Sequence, residues 1–344
     1  MKIAPIGLAH VEELTAFAGQ PEVVRFGEHL ETDPALTWRA WMGDGDAHRR
    51  TTIGVWSGGE LCCAARLAYG GGRRNHHVGQ LQVIAAWSSG DEAIDAAVGA
   101  LVGSADRWLQ IDRIELVAPL AHPRVEGVYA AHGFVVETTT RGSIRRDGDY
   151  ADEEGLARIR PGLKAPATLV GPPPPPARGE YPEDLTLRAV GPEDAAAWTR
   201  TLAEDPVIWG TLQLPFQRPE RWAKRLREND PNQILALGAD VGGEIVASAV
   251  LIVNTTFRRR HVAGVAMHVS GAYQGRRVGR RLLEEQLSLA TRLGLHRVEL
   301  EVFPDNPRAV RLYESMGFAR EGRRRFTAFR EGALVDDLKM SRVG

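Results

Sequence analysis

The chain has 344 residues, a formal net charge of −1, 43 % hydrophobic and 25 % charged residues. This is ordinary globular usage and excludes collagen-like, disulfide-scaffold and globally disordered chains. A near-zero charge gives no electrostatic reason to expect nucleic acid or an anionic membrane as partner.

At roughly 100–200 residues per domain, the length predicts two domains, each able to bury its own core. Residues 1–14 contain no apolar run of signal-peptide length. No stretch nears the roughly 18 uncharged apolar residues of a membrane span. The two cysteines, Cys62 and Cys63, are adjacent; they read as reduced thiols in a strand and fit a soluble cytoplasmic protein. Pro172 to Pro176 are consecutive and favour an extended, semi-rigid spacer. The expected organisation is a domain over 1–160, a Pro-rich linker over 161–184 and a domain over 185–344.

The two halves repeat each other in register. Residues 184 positions apart match without a gap: His77-Val78 with His261-Val262, Arg113 and Glu115 with Arg297 and Glu299, Pro123-Arg124 with Pro307-Arg308, Tyr129 and Phe134 with Tyr313 and Phe318, Glu137 with Glu321. Such register marks a tandem duplication whose copies have diverged.

In the second copy, residues 185–190 alternate like a strand, and residues 193–202 and 219–228 read as amphipathic helices. Residues 234–239 and 245–253 are strands joined at Gly242-Gly243, a hairpin signal. Residues 262–269 form a third strand. A helix over 279–293 stops at Gly294. Val298, Leu300 and Val302 alternate as a strand, residues 307–316 form a helix stopped by Gly317, and residues 326–340 form a final strand pair around Gly332. The order is that of a mixed α/β domain.

Two segments carry chemistry. Val269-Ser-Gly-Ala-Tyr-Gln-Gly-Arg-Arg-Val-Gly279 joins a strand to a helix through a Gly-containing turn. The unpaired N–H groups and positive dipole end of such a helix bind phosphate or pyrophosphate. Arg276, Arg277, Arg280 and Arg281 add positive charge. The segment lacks the G-K-[ST] ending of a Walker loop and the G-x-G-x-x-G dinucleotide fingerprint; alone it reads equally as a tight helix entry. The second segment runs Asn306-Pro-Arg-Ala309-Val-Arg-Leu-Tyr313-Glu-Ser-Met-Gly317-Phe318.

Together these segments resemble the GNAT N-acetyltransferases, which carry a Gln/Arg-x-x-Gly-x-Gly/Ala loop followed by N-x-x-A-x-x-L-Y-x-x-x-G-F. The resemblance covers 185–343 and, through the repeat, 1–159. It implies an α/β protein of two tandem GNAT (acyl-CoA N-acyltransferase) domains. Each would be a mixed, mostly antiparallel sheet with one splayed parallel pair, flanked by helices. It also implies acetyl-CoA as cosubstrate. The backbones of Met267, His268 and Val269 would pair with the pantetheine. Gln274, Gly275, Arg276, Arg277, Val278, Gly279 and Arg280 would cradle the pyrophosphate. Asn306 would hold the pantetheine arm, with the motif's Ala309 in the same binding set. Tyr313 would protonate the departing sulfur.

The sequence departs from the pattern twice. Arg277 replaces the first motif glycine, and the strand over 262–269 has no acid to serve as base, leaving His268, Glu299 and Glu301 as candidates. In the first copy, Gly90 to Asp95 fall over the phosphate loop and bring three acids there, and His122 replaces the asparagine. The first copy is therefore expected to be degenerate and without cofactor. Trp209, Leu212, Leu214 and Phe216 form an apolar string that reads as core or as the lining of an acceptor pocket.

The expected activity is direct transfer of acetyl from acetyl-CoA to the primary amine of a small molecule. The second copy's opening looks similar to the branch that acetylates free L-amino acids. A protein N-terminal or lysine acetyltransferase and a non-catalytic acetyl-CoA-binding module are the alternatives. No metal, nucleic acid or membrane partner is implied. The chain is expected to be a monomer with an intrachain pseudo-dimer, or a homodimer.

Overall fold

The computed structural model describes residues 1–24, 35–42, 49–70, 72, 74–86, 90–163 and 179–344. Pro172 to Pro176, and most of the expected linker, lie outside the described residues. The chain divides into two compact units. One comprises Met1–Pro166, Thr256–Arg258 and Gly322–Val335; the other comprises Ala167–Thr255, Arg259–Glu321 and Asp336–Gly344.

In the first copy the strands are β1 (Lys2–Pro5), β2 (Arg50–Ser57), β3 (Glu60–Tyr69), β4 (Val78–Ala85), β5 (Arg113–Pro119), β6 (Phe134–Arg146) and β7 (Asp149–Ile159). They lie in the order β1-β2-β3-β4-β5-β7-β6. The helices are α1 (Val11–Ala18), α2 (Pro21–Val24), α3 (Ala35–Met42) and α4 (Asp91–Ser104). The apolar stripe of α4, Ile94, Ala97, Val98 and Leu101, is buried against Val55, Leu67 and Ile114.

The second copy repeats this plan. Its elements are β8 (Thr186–Ala189), α5 (Ala195–Leu202), α6 (Asp205–Gly210), α7 (Pro219–Glu228), β9 (Ile234–Val241), β10 (Glu244–Val253), β11 (Val262–Val269), α8 (Val278–Arg292), β12 (Arg297–Val302), α9 (Pro307–Ser315), β13 (Ala319–Arg330) and β14 (Ala333–Val343). The strand order is β8-β9-β10-β11-β12-β14-β13. Leu282, Leu283, Leu287 and Ala290 of α8 are buried; removing each leucine from water contributes about 1.5–3 kcal/mol.

The sheets are mostly antiparallel, with one parallel pair in each copy. The β11–β12 pairing covers only Val262↔Arg297, Ala263↔Val298 and Gly264↔Glu299. Beyond that point the two strands diverge, although β11 runs on to Val269 and stays paired with β10. The first copy splays alike: β4 and β5 pair only from Val78↔Arg113 to Gln80↔Glu115.

Three differences from the sequence reading stand out. The segment over 205–210 forms α6, although no apolar period marks it; Pro206 in its first turn starts it and Gly210 ends it. The final hairpin is longer than 326–340. Lastly, Asp91 and Glu92 do not lie in a loop. They form the first turn of α4, capped by Gly90. Carboxylates favour the positive end of a helix, so this helix starts one turn earlier, relative to the repeat, than α8 does.

Candidate active site

The splay of the second copy leaves one edge of β11 without a strand partner. In the antiparallel ladder, alternate residues turn their main-chain groups to the same neighbour. Ser270 N–H donates to Val246 O, and Asn254 N–H donates to Val262 O. Even-numbered residues of β11 therefore face β10. Arg297 N–H donates to His261 O on the other side. The main-chain groups facing the splay are thus those of Val265, Met267 and Val269. This corrects the expectation for His268, whose main chain belongs to the β10 ladder.

Side chains alternate too. Met267 and Val269 point to α8, where a Cβ on Gly279 would lie 3.2 Å from Met267 Cε and 3.4 Å from Val269 Cγ2. That crowding explains glycine at 279: helix and strand approach each other closely there. His268 points to the opposite face, with its ring edge-on to Trp198 at 5.4 Å. Ser248 Oγ and His268 Nδ1 lie 3.1 Å apart, in hydrogen-bond contact. Its Nε2 is buried with no hydrogen-bond partner. Burial lowers its pKa to about 4. The ring is neutral at pH 7 and a weak base, which removes the main reason for making it the proton acceptor.

Glu299 does not supply a base either. Burial raises its pKa, but Lys339 and Arg297 outweigh that and hold it below the ordinary value. It sits at the paired end of the splay, in an ion network with buried Arg297 and with Lys339.

Arg277 resolves the question of the missing glycine. It adopts the left-handed conformation (φ 64°, ψ 3°) at the N-cap of α8. That conformation favours glycine and costs a non-glycine residue about 1–2 kcal/mol, yet the turn keeps the glycine-like shape. The first intrahelical bond runs from Arg281 N–H to Arg277 O, so the N–H groups of Val278, Gly279 and Arg280 precede the helical ladder. Val278's side chain is in the core. Gln274 folds back, its Nε2 donating to Val269 O at 2.9 Å.

The loop arginines are partly engaged. Arg280 reaches Ser315 Oγ at 2.7 Å, Arg281 reaches Glu285 at 3.3 Å, and the Arg276 guanidinium lies over the Tyr273 ring at 5.5 Å.

Asn306 caps α9: its Oδ1 accepts from Ala309 N–H at 3.2 Å. A Cβ on Gly210 would come within 3.3 Å of Asn306 Nδ2, so the end of α6 abuts this amide. Tyr313, one face of α9, is 9 % exposed and packs against Phe318 with ring centroids 5.8 Å apart. Burial raises its pKa to about 12, so the phenol keeps its proton at neutral pH. Among the described residues its hydroxyl has no hydrogen-bond partner.

Of the apolar string, Phe216 is 96 % exposed and Leu212 51 % exposed, so neither is core. Phe216 has a left-handed backbone (φ 59°). Trp209 lies on α6 and Leu214 is half-buried in the following loop. Trp222 Nε1 donates to Gln217, and Gln217 donates to Leu214 O, which braces that loop.

Glu204 was not among the sequence candidates. It accepts from Ser270 Oγ at 2.7 Å and from Gly271 N–H at 2.6 Å, tying the α5–α6 junction to the end of β11. No motif announces it, because its partners are distant in sequence.

Residues 198–318 match the family model described as Acetyltransferase (GNAT) family. The L-amino acid N-acetyltransferase AaaT of Escherichia coli (strain K12) is 32 % identical over 161 residues, 46 % of this chain and 98 % of that protein. The N-alpha-acetyltransferase RimI of Mycobacterium tuberculosis is 44 % identical over 92 residues, 26 % of this chain and 54 % of that protein. Among solved structures, the GNAT superfamily phosphinothricin acetyltransferase of Sinorhizobium meliloti in complex with AcCoA is 22 % identical. The alignment covers 46 % of this chain and 88 % of that one, with a TM-score of 0.42. The splayed strands, the glycine-shaped turn at the start of α8 and the capped α9 thus come together with a relative aligned over nearly its whole length: the chain belongs to the GNAT acetyltransferase family, is an acyltransferase, and has acetyl-CoA as its expected cosubstrate.

Proposed function

We propose that the second copy, residues 185–344, acetylates the primary amine of a small molecule of the amino-acid class, and that the first copy, residues 1–160, takes no cofactor. The observation that carries the proposal is the unpartnered edge of β11 running from Val265 to Val269 beneath the α8 turn, with a protonated phenol at Tyr313 on the neighbouring helix. The L-amino-acid activity named for AaaT supports the choice of acceptor. Acetyl-CoA supplies an activated acyl group on a thiol leaving group. The N–H groups of Met267 and Val269 face the splay and are suited to polarise the thioester oxygen. The amine nitrogen attacks the carbonyl carbon and the carbon–sulfur bond breaks. The Tyr313 hydroxyl gives its proton to the departing sulfur, the amine's surplus proton leaves to solvent, and solvent returns a proton to the phenolate. Gln274 to Arg280 hold the pyrophosphate through main-chain N–H groups, and Asn306 the pantetheine arm. Trp209, Leu214 and Phe216 border the acceptor. A cytoplasmic location is part of the proposal.

A second reading, acetylation of a protein N-terminus, has one observation in its favour: the likeness to RimI. Coenzyme A thiol release across free amino acids, polyamines, aminoglycosides and short peptides separates the two. Turnover on free amino acids that is lost in Tyr313→Phe is the expected result. Turnover on peptides alone overturns the small-molecule assignment.

A further inference from the structure

Among the described residues, Arg308 is a cation with no carboxylate to neutralise it. Its Nη2 donates to Gln274 Oε1. Its Nη1 is buried with no hydrogen-bond partner. Among the described residues no carboxylate forms an ion pair with it. Burial pulls its pKa below the usual arginine value, and no neighbouring anion opposes that shift. Arg308 is half-buried, and a guanidinium nitrogen removed from water without a partner or a counter-charge is costly to keep.

Its counterpart in the first copy is differently placed in charge. Arg124 donates from Nε to Asp91 Oδ1 at 2.9 Å and from Nη2 to Ala86 O at 3.2 Å. Asp91 corresponds in register to Gly275, which carries no side chain and belongs to the α8 turn. The first copy therefore supplies its own anion to this arginine, and the second has none at the matching position. Gln274 links the site to the splay, accepting from Arg308 and donating to Val269 O at 2.9 Å. Three of the four loop arginines are turned elsewhere: Arg280 toward Ser315, Arg281 toward Glu285, Arg276 over Tyr273. A guanidinium with free donors in a protected site matches the paired oxygens of a diphosphate.

We propose that Arg308 is the side chain that binds the pyrophosphate of acetyl-CoA in the second copy, and that the Asp91–Arg124 ion pair takes the corresponding place in the first copy and closes it to coenzyme A thioesters. The inference rests on acetyl-CoA being the cosubstrate.

Calorimetric titration of the full chain tests it, with acetyl-CoA and with acetyl-dephospho-CoA, which keeps the pyrophosphate and lacks the 3′-phosphate. Losing a charge-assisted contact worth about 1.5–3 kcal/mol raises Kd about 10- to 100-fold. Arg308→Gln should weaken both ligands by this factor alike, Arg308→Lys should recover part of it, and the wild type should bind one ligand per chain. An unchanged Kd in Arg308→Gln overturns the proposal, as does a loss confined to acetyl-CoA, which would move the contact to the 3′-phosphate. Two equivalent sites per chain overturn the closure of the first copy. A wild-type chain that takes up no acetyl-CoA sinks the cosubstrate reading itself, a failure distinct from a variant that binds as well as wild type.

Discussion

The two splays are built on the same scaffold and filled differently. Each opens after three paired residues, at Gln80/Glu115 and at Gly264/Glu299. Each is followed by a helical segment, Val125–Tyr129 in the first copy and α9 in the second, with a side chain accepting a main-chain N–H at its entry. In the second copy the cap is the Asn306 amide oxygen on Ala309 N–H; in the first it is His122 Nδ1, accepting from Arg124 N–H at 3.2 Å. Each keeps a buried Tyr beside a Phe, with ring centroids 6.3 Å apart at Tyr129–Phe134 and 5.8 Å apart at Tyr313–Phe318. What differs is charge at the mouth. The first copy closes its arginine on Asp91, while the second leaves Arg308 on a neutral amide. The two copies thus share their packing while a few polar residues at the splay differ.

The Tyr pair gives the largest contrast. Positioned proton transfer contributes about 10²- to 10⁴-fold, so Tyr313→Phe should reduce kcat by that range, whereas Tyr129→Phe should leave it unchanged. Since both variants keep the ring packing, thermal unfolding should barely move in either. Equal losses of kcat would erase the distinction between the copies.

The repeated buried arginines should behave alike. Arg297 is bound by Glu299 and Glu321, and Arg113 by Glu115 and Glu137. Removing one partner of a buried ion pair costs about 3–5 kcal/mol. Arg297→Met and Arg113→Met should each lower unfolding free energy by that amount, read from denaturant midpoints. A loss in only one would show that the two networks are not equivalent.

Acid stability sharpens the comparison further. His268 and His122 both have pKa values near 4 in the folded chain; burial lowers each, with Arg124 and Arg146 adding to the shift of His122. The unfolded chain takes up these protons first, near the ordinary value of 6.5. The stabilisation is therefore complete above pH 6.5 and disappears as pH falls toward 4, by up to about 3 kcal/mol for each group. The double variant His268→Phe/Ser248→Ala should flatten the second copy's share of that loss, because it removes the titrating imidazole; an apolar side chain, Ile84, stands at the matching position of the first copy. An unchanged pH slope would show that His268 is not the group titrating.

The helices and strands of the second copy were legible because period, glycine stops and hairpin signals are local properties. The short α6 was not, since six residues carry too little period to be seen. Its ends are set by Pro206 and Gly210, and its place by Glu204 on Ser270 and Gly271. Motif spacing named Gln274, Gly279, Asn306 and Tyr313 as candidates. It also named His268 for both main-chain and proton-transfer roles, and strand parity and burial argue against both.

The sequence by itself determined the duplication, the α/β class and the family, because register over a fixed offset and a gapless N-x-x-A-x-x-L-Y-x-x-x-G-F run survive without any knowledge of contacts. Only the tertiary structure decided that Arg308 has no carboxylate partner among the described residues and which main-chain groups face the splay. It also decided that Arg277 can hold the shape of a glycine. Each of these depends on pairing between residues far apart in the chain, and charge compensation, strand parity and backbone conformation are fixed only when those partners meet.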